Sequence, residues 1–231
     1  MTEEERQSIL LRSKVFFRTR VSTKHVLNTS KLADIAEFNI NPFTHKYLSF
    51  FAFGNDDPIN MAKVLLYPRM LGTSISTTFG KELQNFCNDV LSSYASVVPG
   101  IDIEFLDSVD GRKKYCQLKS GPETINSEDV TTVKDHFIGI KNLARTNRLL
   151  NFNPLYDCVV GVFYGEHSEL SNNYKKIEEE YPVYSGEEFW YHLTGDVEFY
   201  YELIAAFAEV AVEVNSTILI EDVLTALSDN F

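Results

Sequence analysis

Cysteine is scarce in this 231-residue chain. Cys87, Cys116 and Cys158 stand far apart, odd in number and without a CxxC pair. That pattern argues against a disulfide framework or a structural zinc site, and the three read as small hydrophobic side chains. No run of 18 apolar residues occurs, so neither a membrane span nor a membrane partner is expected. There is no Gly-rich phosphate loop, because Gly161-Val162-Phe163-Tyr164-Gly165 reads as strand and turn. The five histidines show no HxxxH or HxH spacing, which argues against a histidine metal site. The opening Met1-Thr2-Glu3-Glu4-Glu5-Arg6 is acidic where a leader peptide is basic and then apolar, so the expected compartment is the cytoplasm. Basic residues nearly vanish late in the chain: residues 149–231 hold 2 against 16 acidic ones.

Apolar material is plentiful. The chain is 44% hydrophobic with 17 Phe and 12 Tyr, enough for a sizeable core. The net charge of −12 argues against a nonspecific polyanion binder, but it is unevenly spread. Residues 112–148 carry 8 basic and 4 acidic side chains, so an acidic protein can still present one cationic surface. Solvated faces of differing sign are the plainer alternative.

No repeat or long linker interrupts the chain, and one domain is expected over 1–231. Its catalytic core falls at about 75–165, and an acidic helical part at 166–231. The first 32 residues read as a helix followed by an irregular basic segment. Asp57-Pro58 opens a short helix, and Phe79, Leu83, Phe86, Val90 and Leu91 make the apolar face of a long one from Ser74 to Ser93. Ile101-Asp102-Ile103-Glu104-Phe105 alternates as a strand does, Asp110-Gly111 is a turn, and Lys113 to Lys119 is the return strand. Ser127 to about Leu150 reads as a helix with a polar cap, and Asp157 to Tyr164 as a strand buried on both faces. Helices follow around 168–180, 186–193, 196–214 and 220–228. The class is α/β, with a central sheet flanked by helices.

The chemistry concentrates in the hairpin. Side chains two apart on a strand share a face, so Asp102 pairs with Glu104 and Gln117 with Lys119. Acids, an amide and an ammonium converging across two strands suit phosphodiester hydrolysis. A carboxylate holds a hard cation such as Mg2+, and a lysine orients the attacking water. The plainer reading is a solvated strand face with cross-strand ion pairs.

Pro99-Gly100-Ile101-Asp102, a hairpin, then Gln117-Leu118-Lys119 resembles the signature of PD-(D/E)xK type II restriction endonucleases. Ser120-Gly121-Pro122, and the blocks Leu71-Gly72-Thr73 and Asn142 to Asn147, are similar to segments of that group. The resemblance spans roughly residues 60–210. It implies a restriction-endonuclease-like core with a mixed sheet of about five strands. It further implies a homodimer on double-stranded DNA that cuts one short, palindromic site with Mg2+, beside a companion DNA methyltransferase. Asp102 matches the metal-binding aspartate and Lys119 the catalytic lysine, with the Leu118 carbonyl a further metal contact. Gln117 departs from the Asp or Glu of the pattern, and a neutral amide is a poorer ligand for a hard cation. A second carboxylate would then come from Glu104, on the strand face of Asp102, or from Glu82 on the long helix. Each has a plainer alternative, as a lysine partner or on an exposed helix face.

For DNA contact, Lys134, Lys141 and Arg145 fall near one helix face, and Asn142, Arg145 and Asn147 carry groups that read base edges. Lys14, Arg18, Arg20 and Lys24 form a second basic cluster suited to clamping a phosphate backbone. The acidic final third is expected to face away from DNA. Three alternatives stay open: a structure-specific or nonspecific repair nuclease of the same fold, a catalytically inactive DNA-binding module on a nuclease core, and, from the charge of −12, an acidic interaction protein with no DNA affinity.

Overall fold

The computed structural model describes residues 2–91 and 94–231. In chain order the helices are α1 (Glu3–Phe16), α2 (Thr23–Lys31), α3 (Pro42–Phe53), α4 (Pro58–Pro68) and α5 (Ile75–Asp89). Then come strands β1 (Ile103–Leu106) and β2 (Lys113–Lys119), helices α6 (Ser127–Thr146) and α7 (Pro154–Asp157), and strand β3 (Cys158–Val162). Helix α8 (Asn172–Glu178), strand β4 (Val183–Ser185), and helices α9 (Glu187–Thr194), α10 (Phe199–Val214) and α11 (Thr217–Ser228) complete the chain. The residues divide into two compact units. The first joins the residues through Ser13 to Leu83–Ala206, and the second joins Lys14–Glu82 to Phe207–Phe231.

The first unit holds one mixed sheet in the order β1-β2-β3-β4. β1 pairs antiparallel with β2, and β2, β3 and β4 run parallel. Parallel neighbours need a crossover, and α6 with α7 supplies one and α8 the other. The expected α/β class holds, with four strands among the described residues in place of about five. Beyond β1 the sheet gains one isolated bridge, Ala95 to Ile103.

Helix α6 lies where its pattern directs it. Val130, Val133, Phe137, Ile140 and Ala144 recur at three- and four-residue steps and are buried. The first four pack with Val160 and Val162 of β3 and with Tyr174 and Ile177 of α8. The cap of α6 is Asn126 and not the expected Ser127: its side chain accepts from the amides of Glu128 (2.7 Å) and Asp129 (3.0 Å). Asp129 answers by accepting from the Asn126 N–H at 2.8 Å, closing a capping box. In the same unit the rings of Phe86 and Phe163 meet Trp190 edge-on, and Trp190 Nε1 donates to the Phe163 carbonyl at 3.0 Å. The three cysteines are buried and free. Burial pushes the Cys87 and Cys158 thiols up to about 12, so they are packing groups and not nucleophiles.

The second unit is helical. Leu32, Ala62, Leu66, Met70, Val223, Leu224 and Leu227 form its core. The segment after α1 is not irregular: a π-helical turn (Phe17–Ser22) leads into α2. Three residues of its basic cluster are paired with acids. Lys14 pairs with Glu209, Arg18 with Glu213 and Lys24 with Glu82. Two half-exposed acidic residues of α10 therefore pair with bases near the start of the chain. The long helix begins at Ile75, and its expected end at Ser93 lies outside the described residues.

Candidate active site

The β1–β2 hairpin turns through Asp107 to Arg112, closed by the Asp107 N–H on the Arg112 carbonyl at 2.9 Å. Its register pairs Ile103 with Cys116, yet the Asp102 N–H also donates to the Cys116 carbonyl at 3.0 Å. Two residues of one strand therefore face one of the other, which is a β-bulge, a device that re-aims a side chain at a strand end. The re-aimed Asp102 carboxylate accepts from the Leu118 N–H: Oδ2 lies 2.7 Å from that nitrogen. Lys119 and His136 stand close enough to act on Asp102 electrostatically. Asp102, Leu118 and Lys119 are thus brought together, as the hairpin pattern requires.

Gln117 joins them on the face that β2 turns toward α6. Its side chain is buried, 4% exposed, and Nε2 donates to His136 Nδ1 at 2.8 Å. His136 enters from α6 and was not singled out for this site from sequence. The available signal was Gly100, whose φ is +80°. A Cβ there would fall 2.4 Å from the His136 ring, so the imidazole lies directly against a position open only to glycine.

Burial raises the Asp102 carboxyl above the usual carboxylate range, while the Leu118 N–H and Lys119 pull in the opposite direction. A half-buried acid disfavoured as an anion gains most from a nearby cation. Glu104 is on the expected strand but already held: Lys113 Nζ lies 2.5 Å from Oε2 and Ser96 Oγ donates to Oε1 at 2.6 Å. Glu82 is not on an exposed face. It is 4% exposed, pairs with Lys24, and lines a groove of about 710 Å³ in the second unit with Asn28, Lys31, Arg69 and Lys81.

Among the described residues no three His, Cys, Asp or Glu side chains gather as an all-protein metal cage. Mg2+ does not need one, because it keeps several waters and takes one or two carboxylates plus substrate phosphate oxygens. A half-buried Asp102 flanked by a buried amide fits that kind of site.

Along α6 the basic residues separate. Lys134 is engaged, its Nζ 2.6 Å from Glu180 Oε1. Lys141, Asn142, Arg145 and Asn147 are exposed. Lys141, Arg145 and Arg148 line a shallow cavity of about 400 Å³ beside Leu149, Leu150 and Phe152.

The mixed four-stranded sheet with helices packed against it makes this an α/β protein, consistent with a restriction-endonuclease-like fold. Residues 13–215 match the family model for type II restriction endonuclease EcoO109I, and the chain belongs to that family of nucleases, whose substrate is DNA. No curated protein matches the chain.

Proposed function

We propose that this chain is a Mg2+-dependent type II restriction endonuclease. It acts as a homodimer, hydrolysing double-stranded DNA at one short palindromic site, with a DNA methyltransferase as functional companion. The observation that carries this reading is the Asp102 carboxylate seated on the Leu118 amide within electrostatic reach of Lys119. Asp102 would hold the cation, with the Gln117 amide oxygen and the Leu118 carbonyl as neutral contacts. Bound there, the cation lowers the pKa of its water and stabilises the charge that develops on the phosphate.

The chain's own groups supply the rest. The Lys119 ammonium orients the attacking water and faces the negative charge of the pentavalent phosphorus. Water adds to phosphorus, the bond to the 3′ oxygen breaks, and a proton goes to that oxygen, leaving 5′-phosphate and 3′-hydroxyl ends. Lys141 and Arg145 would meet backbone phosphates, and Asn142 and Asn147, which are exposed, would read base edges.

Sequencing the ends produced from a random DNA library in Mg2+ tests this reading. One short palindromic sequence at every end supports it, whereas ends without a shared sequence favour a nonspecific nuclease of the same fold. Gln117 in place of an acid favours a second reading, a DNA-binding core that does not cut. A gel shift in Ca2+ together with intact DNA in every divalent metal would support that one instead.

A further inference from the structure

We propose that His136 is a positioning residue that decides which end of the Gln117 amide faces the cation and the scissile phosphate. This rests on the nuclease reading above. A carboxylate presents an oxygen whichever way it turns. An amide does not: its oxygen can ligate a cation or accept a proton, while its NH2 group only donates and repels a cation. A glutamine at this position therefore needs an orienting partner that an acid would not.

His136 is placed to be that partner. An amide nitrogen can only donate, so the 2.8 Å contact from Gln117 Nε2 makes His136 Nδ1 the acceptor and puts the ring proton on Nε2. With the Gln117 nitrogen tied to the ring, Oε1 is turned away from His136. The ring is itself constrained from two sides. On α6 it sits between Val133, Phe137 and Ile140, which are buried against the sheet. Against its face lies Gly100, where the missing Cβ makes the room it occupies. Gln117 is 4% exposed, so water does not compete to orient the amide.

Mn2+ titration followed by electron paramagnetic resonance tests this on the full chain. The proteins are wild type, His136→Ala, His136→Asn, Gln117→Glu, and Gln117→Glu combined with His136→Ala. Loss of a group that orients a metal contact costs about 10- to 100-fold in affinity, which is the expected effect of His136→Ala. His136→Asn, whose Oδ1 can replace Nδ1 as acceptor, recovers most of it. In the Gln117→Glu background His136→Ala changes affinity by less than about 3-fold, because the two sites no longer couple. An equal loss in both backgrounds, with or without a lowered melting temperature, marks a merely structural histidine and overturns the proposal. So does a wild type that binds no Mn2+, or a His136→Ala variant that binds it as wild type does. Cleavage assayed in parallel separates the two readings: the expected Mn2+ pattern without any DNA cutting upholds the role of His136 and sinks the nuclease.

Discussion

The Leu118 amide and the Asp102 carboxylate meet at 2.7 Å across the β1–β2 hairpin, a side chain taking the place of a ladder bond. The bulge at Cys116 makes this possible, since Asp102 is the extra residue and is free to turn. The candidate site is built on that exchange: the backbone gives up regular pairing and gains an aimed acid next to Lys119.

Lys119→Ala should leave the fold intact, because Lys119 is partly exposed at the end of β2. Positioned proton-transfer groups contribute about 10²- to 10⁴-fold, and a loss of that size is expected in single-turnover cleavage. A variant that cuts as fast as wild type would remove Lys119 from the mechanism.

Asp102→Asn should abolish cutting and raise the melting temperature in EDTA at pH 7. The amide keeps an oxygen for the Leu118 N–H and sheds the charge that burial penalises. The sign follows from the raised carboxyl: the folded state holds its proton more tightly than the unfolded state does. The penalty is complete above the folded value and fades as pH falls through it toward the ordinary range. The gain from Asn should shrink over that same acid window. Melting curves from pH 7 down to pH 4 check this, and a gain that grew toward acid would contradict it.

Gly100→Ala should impair the site through geometry alone. Its φ of +80° costs an L residue about 1–2 kcal/mol, and the new Cβ displaces His136. Cleavage should fall further than stability does. Denaturant melts beside cleavage rates separate the two effects.

Lys114 lies on the opposite face of β2 from Gln117 and is fully buried. Its Nζ reaches Asp110 at 2.5 Å, the Tyr156 carbonyl at 2.9 Å and Asp107 at 3.3 Å, and Asp107 also accepts from His192 Nδ1 at 2.8 Å. Breaking such a buried network by removing one partner costs about 3–5 kcal/mol, and Lys114→Ala should show it in urea unfolding. Lys113→Ala, one residue away on a largely exposed side chain, should cost no more than about 1 kcal/mol.

On DNA, Lys141→Ala and Arg145→Ala should each flatten the salt dependence of binding, by about 0.9 in slope for each phosphate no longer neutralised. Lys134→Ala should leave the slope unchanged, because Glu180 already holds that ammonium. An equal effect at all three positions would rule out this division of the helix.

Local pattern carried much of this fold. The hairpin follows from its turn residues, the start of α6 from its polar cap, and β3 from a continuous apolar run, because a strand buried on both faces carries no polar positions. β4 was not legible, since three residues are too few to show a period. Helix α3 escapes the apolar pattern, although Asn41-Pro42 marks its start and the Asn41 side chain caps it. The site was half legible. Asp102, Gln117 and Lys119 belong to one hairpin and announce each other by spacing. His136 joins them only because α6 folds back over β2. The same blindness to long-range partners hid the ion pairs of the basic residues: Glu209, Glu213 and Glu180 are distant in sequence from the side chains they pair with.

The central claim is that this hairpin cuts DNA, and one digest tests it most directly. Phage DNA is incubated in Mg2+ with wild type, with Lys119→Ala, and with wild type in EDTA. Discrete bands with wild type alone are the expected result. Intact DNA in all three lanes, or bands that persist with Lys119→Ala, would contradict it.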